Sequence, residues 1–201
     1  QYHNLMQAGP VFPDKMIVIT ILSVFANEAA LPDGRYMHIC IVENGIQTDI
    51  SVGNGLINMY GKSGNLDDAR CVFEKMHQHD IVSWNALIAG YAQCGEFYEA
   101  SKCLERSMLQ GLIPNAITLV CMLKACGNQK NLERANRIHG DILKRGSLEK
   151  DTSLGNTLVS VYAKCGELTK AHQTFDQLWV RDAISWNALI SGYTQGGHYA
   201  G

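Results

Sequence analysis

One six-residue string occurs twice in this chain. Ser83-Trp84-Asn85-Ala86-Leu87-Ile88 returns as Ser185-Trp186-Asn187-Ala188-Leu189-Ile190, 102 residues later. Weaker copies follow Asn54 (Gly55-Leu56-Ile57) and Asn156 (Thr157-Leu158-Val159). The series Asn54, Asn85, Val120, Asn156, Asn187 advances in steps of 31, 35, 36 and 31 residues. A second series, Ala69, Ala100, Ala135, Ala171, advances by 31, 35 and 36. Two independent markers that keep one uneven rhythm identify an array of repeated units, not one conventional core.

Each unit reads as two helices. In the first, apolar residues recur at i, i+3, i+4 and i+7: Trp84, Leu87, Ile88, Tyr91, and equally Trp186, Leu189, Ile190, Tyr193, or Val18, Ile21, Leu22, Phe25. That spacing lays one stripe along one helix face. Gly64, Gly95 or Gly166 then ends the helix. The second helix has its own stripe, such as Ala69, Val72, Phe73, Met76 or Ala171, Thr174, Phe175, Leu178. No strand-like alternation of any length is present. A single hairpin cannot bury both stripes, whereas stacked hairpins bury them continuously. The expected fold is all-α, a right-handed α-solenoid with a concave face. It holds about five complete repeats and half a repeat at each end.

Composition removes several alternatives. The seven cysteines include no Cys-x-x-Cys pair and no companion histidines at zinc-finger spacing, so no metal is expected and the thiols should pack between helices. The longest apolar run, residues 16–26, is too short to span a bilayer, which takes about 20 residues. No Ser/His/Asp set, phosphate-binding glycine loop or carboxylate cluster stands out, and neither catalysis nor a cofactor is expected. The formal charge of -2 gives no basic signature for nucleic acid. The chain begins and ends in mid-pattern, as a fragment would, and no targeting segment is visible.

The combination Val-Ser-Trp-Asn-Ala-Leu-Ile, Gly-Tyr, then Gly-Glu-x-x-x-Ala, then a closing Pro-Asn resembles a plant pentatricopeptide repeat. The unit lengths of 35, 36 and 31 resemble the PLS subclass of that family. Residues 15–49 and 116–151 look like long-type repeats, 50–80 and 152–182 like short-type repeats, and 81–115 like the standard type. Residues 1–14 look like the end of a repeat, and 183–201 like the first helix of another. The resemblance implies a single solenoid that binds single-stranded RNA at one base per repeat, a general property of the family. It also implies a mitochondrion or chloroplast, a role in cytidine-to-uridine editing or RNA processing, and partner proteins of that apparatus. Neither DNA nor a membrane is expected as a partner. The His-x-Glu and Pro-Cys-x-x-Cys motifs of a zinc deaminase are absent.

The residues themselves fit that reading. The second, fifth, ninth and twelfth positions of a first helix share a face. They are Val82, Asn85, Ala89, Ala92 in one unit, Ser51, Asn54, Asn58, Gly61 in another, and Ser153, Asn156, Ser160, Ala163 in a third. This small, polar face should let another molecule approach. Asparagine is a mediocre helix former, yet it holds the fifth position at Asn54, Asn85, Asn156 and Asn187. Its amide both donates and accepts, so it can face a base edge as well as cap a helix or bond a neighbouring repeat. The family's base-reading residue lies at this position. Its second reader is the last residue of each unit, here Asp49, Asp80, Asn115, Asp151 and Asp182, all equally suited to capping the next helix.

An ionised Asp only accepts hydrogen bonds, which suits the N3–H of uracil, while Asn can donate to the N3 of cytosine. The units with Asn54 and Asp80, and with Asn156 and Asp182, should therefore prefer U. The unit with Asn85 and Asn115 should prefer C, then U. Asn187 should favour a pyrimidine. Ile19 (with Asp49) and Val120 (with Asp151) cannot hydrogen-bond a base, so the long-type units should discriminate weakly. The expected string is U-C/U-N-U-Y.

Val82, Ile117 and Ile184 match the family's base-flanking second position, unless they are merely core edge. Lys62 and Lys164, thirteenth in the short-type units, are candidates for phosphate contact or for a plain helix-end cation. Gln93 and Gln195 replace lysine at that position in the standard type. Trp84 and Trp186 are expected in the core. His38 and His139 hold matching places in the long-type units and should have structural partners. His77 and His79 should favour a helix C-terminus. The rival reading is a tetratricopeptide-like protein scaffold, whose constant period of about 34 residues this chain does not keep.

Overall fold

The computed structural model describes residues 12–144 and 151–195. Most of the expected repeat end at 1–14, and everything past Gln195, lie outside the described residues. Eleven helices and no strand are present among the described residues. By internal packing the chain divides into two compact units, Gln1–Cys94 and Gly95–Gly201.

The first unit holds α1 (Lys15–Glu28), α2 (Leu31–Glu43), α3 (Ile50–Lys62), α4 (Leu66–Lys75) and α5 (Ile81–Gln93). Helix α3 packs between α1 and α5, while α2 lies against α1 and α3, and α4 against α3 and α5. The second unit holds α6 (Phe97–Leu109), α7 (Ala116–Asn128), α8 (Leu132–Lys144), α9 (Thr152–Lys164), α10 (Leu168–Asp176) and α11 (Ala183–Gln195). Its arrangement is the same: α9 lies between α7 and α11, with α8 against α7 and α9 and α10 against α9 and α11. In each unit the first helices of successive hairpins form one row and the second helices cover its flank.

Sequence explains this division of labour. The row helices α3, α5, α7 and α9 bury more than one stripe: α5 buries Ser83, Trp84, Asn85, Leu87, Ile88, Gly90, Tyr91 and Ala92. The covering helices bury one narrow stripe, as with Ala69, Val72 and Phe73 on α4 or Ala171, Thr174 and Phe175 on α10. The hairpin turns close as expected. Gly64 and Gly166 take φ of +75° and +80°, a left-handed conformation that glycine enters without penalty. The next residues, Asn65 and Glu167, then donate back to the carbonyls of Tyr60 and Tyr162 at 2.9 Å, satisfying helix-end acceptors.

Row helices approach very closely at Gly61 and Gly90, and again at Ala163 and Gly192. A Cβ added to Gly90 would lie 3.0 Å from the Cα of Gly61, so α3 and α5 cross there backbone against backbone. Gly61, Ala92 and Ala163 are all buried. In α3 at least, the twelfth position of the face that sequence marks as open to another molecule is used by a neighbouring helix. The ninth positions, Asn58, Ala89 and Ser160, are half-buried.

Two aromatic clusters recur. The Phe73 and Trp84 rings meet edge-on at 4.6 Å, and the Phe175 and Trp186 rings at 4.7 Å. Trp84 is completely buried, as expected, but Trp186 is 51% exposed. The difference follows from position, since no described helix follows α11. His79 stacks on Phe73 and its Nε2 lies 2.7 Å from the Phe73 carbonyl, at the end of α4, as its place at a helix C-terminus implies. The cysteines depart from expectation: Cys103 and Cys126 are buried, but Cys71 and Cys94 are exposed.

His38 and His139 do have structural partners. Their Nδ1 atoms lie 2.9 and 2.8 Å from the hydroxyls of Tyr60 and Tyr162. Burial, with Lys75 nearby, holds His38 below the ordinary histidine range, and burial with Lys170 does the same for His139. Both are therefore neutral in the fold at neutral pH. A depressed folded value means that stability is complete above the ordinary value of 6.5 and is lost as pH falls through it towards the folded value. The melting temperature is expected to drop between about pH 7 and pH 5, and less steeply in a His38→Gln/His139→Gln double variant.

Candidate RNA-reading face

Each row helix starts from a cap that also closes the preceding sequence unit. Asp49 caps α3 through the N–H groups of Ser51 and Val52, and Asp151 caps α9 through those of Ser153 and Leu154. Asp80, Asn115 and Asp182 accept from the N–H of the third residue of α5, α7 and α11, which are Ser83, Thr118 and Ser185. The capping role to which these residues are suited is thus present.

Capping does not exhaust them. The Nδ2 of Asn54 donates to Asp80 Oδ1 at 3.2 Å, and the Nδ2 of Asn156 donates to both oxygens of Asp182 at 3.1 and 3.3 Å. Fifth residue and last residue of one sequence unit, 26 apart, are therefore joined in both 31-residue units, 50–80 and 152–182. The reason is geometric: the fifth residue lies near the start of its helix, beside the start of the next row helix. Asn156 is only 6% exposed, while Asn54 is half-buried.

The carboxylates stay ionised. Hydrogen bonds from the Ser185 N–H and hydroxyl, the Asn156 amide and the Ile184 N–H hold Asp182 below the usual carboxylate range, against a smaller opposing effect of burial. For Asp80, burial pulls upward, but hydrogen bonds from Ser83, Asn54 and Val82 together outweigh it and the value is lowered.

The other candidates are placed as follows. Asn85 is buried on α5 of the first unit, and Asn115 is exposed at the start of α7 in the second. Asn187 is exposed on α11. Ile19 and Val120 are half-buried on α1 and α7. Asp49 is ion-paired with Lys15 at 3.0 Å, a hydrogen bond that lowers its pKa. Val82, Ile117 and Ile184 are 53%, 61% and 65% exposed, too open for core edge. Lys62 and Lys164 are exposed and reach Asn27 and Asn128 of the preceding row helix, at 2.8 and 3.4 Å.

In the second unit these side chains surround one open cavity of about 760 Å³ along α7, α9 and α11. Asn156, Asp182, Ile184, Asn187 and Lys164 all line it. So do Lys124, Asn128 and Ser191, which sequence reasoning does not select. Lys124 and Ser191 hold the ninth position of their helices, the place already noted for Asn58 and Ser160, and that register is the signal that could have found them. Among the described residues there is no cluster of three or more His, Cys, Asp or Glu that would hold a metal, and no helix long and apolar enough to cross a membrane.

Family models match the same stretches. A PPR repeat family model matches residues 79–128, and a PPR repeat model matches 54–81, 156–182 and 184–200. The chain belongs to the pentatricopeptide repeat family. It is 39% identical over 186 residues to the Arabidopsis thaliana pentatricopeptide repeat-containing protein At4g18520, chloroplastic, covering 92% of this chain and 30% of that protein. It is 34% identical over 198 residues to At1g59720, chloroplastic/mitochondrial, of the same organism, covering 98% and 31%. The chain thus spans about a third of the length of these pentatricopeptide relatives. In fold it is similar to the crystal structure of the pentatricopeptide repeat protein PPR10 from maize, with a TM-score of 0.68 at 23% identity over 94% of this chain and 28% of the other. With PPR10 in complex with an 18-nt psaJ RNA element the TM-score is 0.74 at 19% identity, over 96% and 29%. The fold is accordingly the all-α stack of hairpins that characterises pentatricopeptide proteins.

Proposed function

We propose that this chain binds single-stranded RNA through the exposed edge of its row helices, one base per repeat, with the preferred string U-C/U-N-U-Y. One observation carries the reading: Asn156, Asp182, Ile184, Asn187 and Lys164, chosen in sequence from the positions that the family resemblance marks, line a single open cavity. The chemistry in that cavity is suitable. The ionised Asp182 accepts hydrogen bonds and has room for one more donor beside those of Ser185 and Asn156, which suits uracil N3–H. Exposed Ile184 offers an apolar surface beside a base, and Lys164 a cation for a phosphate. Asn54 with Asp80, Val82 and Lys62 form the corresponding set in the first unit. By sequence, residues 81–115, which carry Asn85 and Asn115, would prefer C, then U. Ile117 would flank a base, and Ile19, Asp49, Val120 and Asp151 would discriminate weakly.

The alternating unit lengths support the PLS subclass, and the names of the relatives support an organelle. We place the chain in a mitochondrial or chloroplast factor for RNA editing or processing, in which the rest of the full-length protein or a recruited partner would supply the chemistry. Fluorescence anisotropy with unstructured RNAs carrying U-C-A-U-C, or the same string with purines for pyrimidines, tests the reading at two salt concentrations. Tighter, salt-sensitive binding of the pyrimidine string is expected. Asp182→Asn should then move the preference of its repeat from U towards C by roughly tenfold. Equal binding of both strings would remove the code. No binding to either, with capture of a peptide instead, would favour a protein scaffold.

A further inference from the structure

The proposed reader amides are buried on one side, and what they meet there depends on the third residue of the next row helix. Ser185 is fully buried; its single hydroxyl proton is shared between Asn156 Oδ1 at 2.6 Å, the shorter contact, and Asp182 Oδ1 at 2.9 Å, and its oxygen accepts from the Asp182 N–H at 3.1 Å. With Asn156 Nδ2 on Asp182, this closes a ring of Asn amide, Asp carboxylate and Ser hydroxyl. In the first unit Ser83 is equally buried, but its hydroxyl donates to Asp80 Oδ1 at 2.9 Å. The Oδ1 of Asn54 is then buried without a hydrogen-bond partner.

Ser83 and Ser185 complete capping boxes by accepting from the Asp80 and Asp182 N–H groups, but a cap does not require a hydroxyl there. Asp49 and Asp151 cap α3 and α9 although Val52 and Leu154 stand at the third position. The hydroxyl follows the amide instead. Units with Asn at the fifth position (Asn54, Asn85, Asn156) are succeeded by Ser83, Thr118 and Ser185 at the third, and units with Ile19 or Val120 by Val52 and Leu154. Val52 and Leu154 are themselves buried.

We infer that Ser185 is a positioning residue for RNA reading, whose hydroxyl holds the oxygen of the Asn156 amide and so fixes which amide hydrogen faces a base. The inference rests on the reading under Proposed function. An amide whose oxygen is held by Ser and whose nitrogen is held by Asp has one N–H left to present. A flipped amide would set its oxygen against the Asp carboxylate, two acceptors face to face. Without the hydroxyl, the buried oxygen must find another donor or go unpaired, which favours rotation of the whole side chain.

The decisive variants are Ser185→Thr and Ser185→Val, nearly identical in shape and differing in the hydroxyl, with Ser185→Ala beside them. Binding is measured by anisotropy on RNAs that vary only the base facing residues 152–182, with melting temperatures recorded in parallel. Ser185→Thr is expected to keep the preference for U, and Ser185→Val and Ser185→Ala to lose about five- to tenfold of it. The preference at residues 50–80 should not change in any of them. Full retention of the preference in Ser185→Val or Ser185→Ala would overturn the inference and leave the function standing. A parent chain with no preference at that base would overturn both.

Discussion

The Trp84→Ala protein is expected to unfold with a free energy about 3–5 kcal/mol below that of the parent chain, and Trp186→Ala with less than about half that loss. The two residues sit in identical six-residue strings and each meets a phenylalanine edge-on, so local sequence does not distinguish them. Their surroundings do. Trp84 is fully enclosed between α4 and α5, with Phe73 at 4.6 Å and His79 at 5.9 Å, and its removal leaves a large void that close-packed helices fill poorly. Trp186 is 51% exposed and buries much less surface to lose. Urea denaturation followed by far-UV circular dichroism compares the two without relying on tryptophan emission. Equal losses would mean that Trp186 is covered in solution.

Asn156→Ala is expected to abolish the preference for U at its repeat, a loss of about 1–3 kcal/mol in discrimination, while Ile19→Ala leaves base preference unchanged. Asn156 is joined to Asp182 and Ser185, so the alanine protein forfeits the donor proposed to face the base and also frees the carboxylate to turn. Ile19 can make no such bond. Anisotropy on RNAs differing at single bases measures both variants. An Asn156→Ala protein that keeps its fold and its preference would sink the assignment of readers.

Much of the fold is legible in the amino-acid sequence. The 31-, 35- and 36-residue rhythm and the i, i+3, i+4, i+7 stripes suffice for hairpins stacked in rows, because burying two stripes per hairpin has few other solutions. The pairing of Asn54 with Asp80 and of Asn156 with Asp182 is legible only through family resemblance. Nothing in the spacing alone says that residues 26 apart will touch. Gly61 reads in sequence as open surface and is not, since a small residue serves equally to admit a ligand or a helix, and only the crossing with Gly90 decides. The exposure of Trp186 is not legible, because it depends on what packs beyond α11. The role inferred for the Ser185 hydroxyl is hidden because Ser at the third position of a helix reads as an ordinary capping partner.

Asp80 and Asp182 each belong to two repeats at once, completing one and starting the helix of the next. Such a residue cannot be exchanged for its recognition value alone. A side chain chosen for a new base must still accept a hydrogen bond at a helix start, which restricts the usable set to Asp, Asn, Ser and, less well, Thr, with a cost of about 1 kcal/mol outside it. The vocabulary available at the junction is therefore limited by folding before any RNA is met, and diversification of targets has to proceed within that short alphabet or be compensated elsewhere in the array.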